Sequence, residues 1–62
     1  MKEQIWLCSF VDDNTGEEWE LEMVSRPPMA QANAEVAGIK RLAAQRVGSS
    51  IRCRWSRFVK EI

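Results

Sequence analysis

Sixty-two residues, with nine Lys or Arg against nine Asp or Glu and no His, make a single domain spanning 1–62 with no formal net charge. A chain this short buries only roughly 60% of its unfolded surface, so apolar burial and conformational entropy nearly cancel and something further is expected to add stability: the three Trp, very tight helix packing or a partner subunit. The composition excludes a zinc-type ligand cluster, since the two cysteines lack CxxC spacing, and a membrane span, since no apolar run nears the roughly 20 residues a bilayer requires.

The zero net charge conceals a segregation. Residues 1–28 carry two basic against seven acidic side chains, a net of −5, and residues 29–62 carry seven basic against two acidic, a net of +5. Cys8 and Cys53 both fall in strand-like stretches and read as buried free thiols of a reducing compartment. Residues 1–11 show no basic start, apolar centre and small-residue cleavage site, so the chain reads as cytoplasmic.

Residues 5–11 are apolar on both alternating faces and carry no charge, which marks a strand at the centre of a sheet. Asp12-Asp13-Asn14-Thr15-Gly16-Glu17 then signals a turn. Asp at its first position and Gly16 in the left-handed region fit a three-residue hairpin with a bulge. Residues 18–24 form a second strand, with Trp19, Leu21 and Met23 on one face and Glu18, Glu20 and Glu22 on the other.

Arg26-Pro27-Pro28 ends that strand, and Pro28 suits a first helical position. A helix is predicted over 29–47. Met29, Ala32, Val36, Ile39 and Ala43 recur at three- and four-residue steps, and Gly48 is the left-handed stop. Ala30, Ala34 and Gly38 form a second row of small residues. Gly38 costs about 1 kcal/mol relative to Ala in mid-helix, which points to close approach of the helix to the sheet or a loop, the alternative being a helix-helix contact with a second copy. Residues 50–59 alternate as a third strand, with Ile51, Cys53 and Trp55 facing one way and Arg52, Arg54 and Ser56 the other.

The fold class is therefore α+β of ββαβ order. A right-handed crossover places the third strand beside the first, giving an antiparallel sheet of order 2-1-3 with one helix packed on one face. The two charged strands then lie at the edges, where charge discourages edge-to-edge aggregation. The expected core is Trp19, Leu21, Met23, Val36, Ile39, Ala43, Ile51, Cys53 and Trp55. The hairpin decides the outer face. A three-residue turn pairs Asp13 with Glu17, puts Ile5, Leu7, Ser9 and Val11 on the core face and sends Trp6, Cys8 and Phe10 away from the helix, whereas a four-residue loop swaps the two sets. Turn chemistry favours the former.

No catalytic motif is present. There is no phosphate loop, and Asp12 and Asp13 are explained as turn residues, so no enzyme, metal or cofactor is expected. The reading with most support is a protein-interaction module, a homodimer or a binder of a host or partner protein acting through the open sheet face. Trp6, Phe10, Glu18, Glu20, Glu22, Arg52 and Arg54 would form the interface. Its size suits a small phage- or plasmid-encoded accessory protein. The alternative is nucleic-acid binding through Lys40, Arg41, Arg46, Arg52, Arg54 and Arg57, with Trp55 or Phe58 stacking a base. The pI near 6.2 lies far from the basic footprint that binding requires.

Overall fold

The computed structural model describes residues 2–62. Four elements follow in chain order: β1 (Gln4–Asp12), β2 (Glu18–Ser25), α1 (Ala30–Ala43) and β3 (Ile51–Glu61). The sheet has the order β2-β1-β3 with both neighbouring pairs antiparallel, and α1 covers one face. This is the expected α+β architecture. The uncharged run of residues 5–11 takes the centre, where both its edges are hydrogen-bonded, and the two charged strands take the rims.

The hairpin register differs from the turn-chemistry expectation. Val11 pairs with Glu18 and the Asp12 N–H donates to the Glu17 carbonyl at 2.9 Å, so residues 13–16 form a four-residue loop. Gly16 keeps the left-handed role, at φ 78°, and its N–H donates to the Asp12 carbonyl at 2.7 Å. The reason lies outside the hairpin. The buried Asp12 carboxylate accepts from the Asn14 N–H at 2.8 Å and the Ser50 N–H at 3.4 Å, while the Asp13 N–H donates to the Ser50 carbonyl at 3.0 Å. Those bonds fix the loop against the start of β3. A one-residue change in loop length exchanges the two faces of β1, so Trp6, Cys8 and Phe10 point toward the helix.

The core follows from that exchange. Phe10 and Cys8 are each 0% exposed and cluster with Ala34 and Leu42, with Trp6, Trp19, Leu21, Met23, Ile39, Ile51 and Cys53 packed around them. The helix turns its small-residue row, Ala30, Ala34 and Gly38, inward together with Leu42. Close approach of helix to sheet at Gly38 is thus observed, and the group it approaches is the Phe10 ring. Val36, expected in the core, is 50% exposed, and Ala43 and Met29 are also exposed. Val36 stands two residues from both Ala34 and Gly38, or roughly 200° around the helix from each, so burying that row turns Val36 outward.

The helix is shorter than the periodicity predicts. It opens two residues after Pro28, with Met29 at φ 62° in the N-cap position. Lys40 and Arg41 occupy the last turn, where positive charge favours the helix C-terminus. Beyond Ala44 the N–H groups of Gln45 and Arg46 bond three residues back, to Leu42 and Ala43. There Arg46 leaves the helical path and lies over the Trp19 ring, 4.4 Å from its centroid, within 3.7 Å of Glu17.

β3 departs from simple alternation twice. Its register against β1 shifts between Ser9 and Phe10 and again between Ile5 and Trp6, leaving Arg54 and Val59 as extra residues. Each shift reverses the faces of the residues beyond it. Ile51 and Cys53 face the helix as expected. Past Arg54, Ser56 and Phe58 take that face and Trp55 moves to the opposite one, 41% exposed. Trp55 therefore leaves the expected core. Ser56 is drawn into a polar contact under the helix, donating to Glu35 and accepting from the Gln31 amide at 2.9 Å.

Candidate functional site

Among the described residues, no other element covers the face of the sheet away from α1. Its floor is the other set of β1 residues, Ile5, Leu7, Ser9 and Val11. The pairing register fixes what flanks each of them. Val24 and Lys60 lie level with Ile5, Glu22 and Arg57 with Leu7, Glu20 and Trp55 with Ser9, and Glu18 and Arg52 with Val11. A row of carboxylates on β2 thus faces a row of cations on β3 across an apolar strip. With strands about 4.8 Å apart, the rows are separated by roughly 10 Å.

The two ends of this face differ. Near the hairpin, Arg54 reaches across β1 to bond Glu18, and Arg52 makes a two-pronged contact with Asp13 at 3.1 and 3.4 Å. The Arg52 hydrogen bonds hold the Asp13 carboxyl below its ordinary value and raise the guanidinium in turn. Exposed pairs of this kind contribute at most about 1 kcal/mol each, so their effect is to fold long side chains over the end where Ser9 and Val11 are buried. Toward the other end Ile5 and Leu7 are half-buried and Val24 is exposed. Among the described residues, Glu20, Glu22 and Arg57 make no ion pair.

Of the residues expected at an interface, Glu18, Glu20, Glu22 and Arg52 lie on the open face, and Arg54 reaches it from the register shift. Trp6 and Phe10 do not. Phe10 is enclosed beneath α1, and Trp6 is half-buried on the helix side, edge-on to Phe58 at 5.7 Å and donating to the Gln4 side chain at 2.9 Å. Ile5, Leu7, Val24 and Trp55 take their place. Ile5 and Leu7 were the outer set of the four-residue alternative, whereas nothing in the local sequence marks the shift that exposes Trp55.

The residues expected to bind nucleic acid are divided between the two sides of the molecule. Arg52 and Arg57 lie on the open face, whereas Lys40 and Arg41 are exposed on the helix that covers the other face. Arg46 is committed to Trp19 and Glu17. The thiols offer no activated nucleophile. Burial, reinforced by Cys53 and Glu35, pushes Cys8 up to about 11, and burial likewise raises Cys53, so both are protonated at neutral pH. Among the described residues there is no pocket, no group of three His, Cys, Asp or Glu side chains placed to hold a metal, and no helix long and apolar enough to cross a membrane. No protein-family model, curated protein or solved structure matches this chain.

Proposed function

We propose that the protein is a non-catalytic interaction module that docks on a protein surface through the open face of its sheet. One observation carries this reading: an uncovered apolar floor, Ile5 and Leu7 with Val24 and Trp55 beside it, lies between a carboxylate row and a cation row. Apolar area framed by charge of both signs is the make-up of a protein contact, with a desolvated centre and a polar rim that sets orientation. The two free cysteines suit a cytoplasmic setting.

Nucleic-acid binding is the second reading, favoured by one observation. The register shift at Arg54 sets Trp55 beside Arg57 and Arg52, where an exposed indole could stack a base. Glu18, Glu20 and Glu22 on the same face oppose it. At roughly 10 Å from the cation row they lie near the Debye length of about 8 Å at physiological salt, so they offset much of its attraction for phosphate.

Leu7→Glu separates the two readings. It places a charge at the centre of the apolar floor while leaving the helix-facing core intact. Loss of the native chain's association by light scattering, with an unchanged circular dichroism spectrum, is the expected result. A labelled single-stranded oligonucleotide that binds at about 150 mM salt and is released by Arg52→Glu with Arg57→Glu would overturn it.

A further inference from the structure

The open face is self-complementary about one particular axis. Two sheets packed face to face lie about 10 Å apart with their strands within roughly 30° of each other. A two-fold relating them runs in the plane between the sheets, either along the strands or across them. The across-strand axis sets β2 over the partner's β2 and β3 over the partner's β3. Carboxylates then meet carboxylates and guanidiniums meet guanidiniums. The along-strand axis sets β2 over the partner's β3, so opposite charges meet twice, as an isologous contact requires.

Rotation about an axis parallel to the strands leaves each residue at its own level along them. Glu22, Leu7 and Arg57 share one level. With the axis above β1, Leu7 meets the partner's Leu7, and Glu22 lies over the partner's Arg57 on both sides of it. Glu22 and Arg57 are also charges of this face that the single chain leaves without an ion pair among the described residues, while Glu18 and Arg52 at the other end are engaged by Arg54 and Asp13. The end of the face left open in the monomer is therefore the end whose charges await a partner. The angle between packed sheets preserves the match at the crossing point and weakens it away from there, which centres the contact on Leu7.

We propose that the partner of the open face is a second copy of this chain, docked about a two-fold axis parallel to β1 that passes over Leu7, with Glu22 of each copy paired to the partner's Arg57. This rests on the reading of the open face as a protein-docking surface.

Charge reversal tests it. Glu22→Arg alone sets arginine against arginine at both contacts, and Arg57→Glu alone sets glutamate against glutamate. Each is expected to weaken dimerisation by about tenfold or more. An equimolar mixture of the two variants restores an opposite-charge pair at both contacts, so the mixed dimer is expected to form near native strength. Both side chains are exposed, and unchanged circular dichroism spectra show that the variants remain folded. The across-strand axis gives a different pattern, because Glu22→Arg there replaces one like-charge contact with another and association stays as in the native chain. A native dimer indifferent to both reversals but broken by Leu7→Glu would overturn the axis and leave the docking face standing. A dimer indifferent to Leu7→Glu as well would overturn both. A native chain that stays monomeric at millimolar concentration would overturn the second copy as partner.

Discussion

At Gly38 a missing side chain decides how close the helix lies to the sheet. A Cβ built there would come nearest the Phe10 Cζ, with Cε2 at 2.7 Å and Cε1 at 3.0 Å. Two effects compete in Gly38→Ala. Alanine gains about 1 kcal/mol of helix propensity, and overpacking a filled core costs about 1–3 kcal/mol. The Phe10 ring is fully buried and cannot swing out into solvent, so the overlap wins. Gly38→Ala is expected to lower the midpoint of urea unfolding, and the same change made together with Phe10→Leu to cost less than it does alone. A higher midpoint for Gly38→Ala in the native background would show that the helix can rise off the ring. The small-residue row made this close approach readable from sequence. Its object was not, because a run apolar on both faces does not reveal which face holds Phe10.

The elements themselves were legible: three strands, one helix and a left-handed glycine in the hairpin. The faces of two strands were not, and for different reasons. In β1 the face depends on a loop length set by bonds from Asp12 and Asp13 to Ser50, distant in sequence, which local turn preferences do not contain. In β3 the regular alternation of Ile51, Cys53 and Trp55 conceals the extra residue at Arg54. Asp12 is the residue that joins hairpin and crossover loop. It is 4% exposed, and its carboxylate serves two backbone N–H groups. Asp12→Ala leaves those donors unpaired and is expected to cost about 1–3 kcal/mol. Asp12→Asn retains an acceptor and is expected to cost less. Equal losses for the two variants in chemical denaturation would mean that the loops hold one another without the carboxylate.

On the scale of the whole molecule, the strand order and the segregation of charge came directly from the sequence, since uncharged residues seek the centre of a sheet and charged strands its rims. Folding converts the segregation along the chain into two facing rows on one surface. In the proposed dimer that surface meets its own copy in one orientation, with charge supplying the register and the Leu7 contact the part of the binding that salt does not screen. The most direct measurement is the solution mass of the native chain by light scattering at low and high salt. Twice the 7.2 kDa chain mass at low salt, with association weakened but still present at high salt, is the predicted result. A mass of 7.2 kDa at both salts and at every concentration would contradict self-association through the open face.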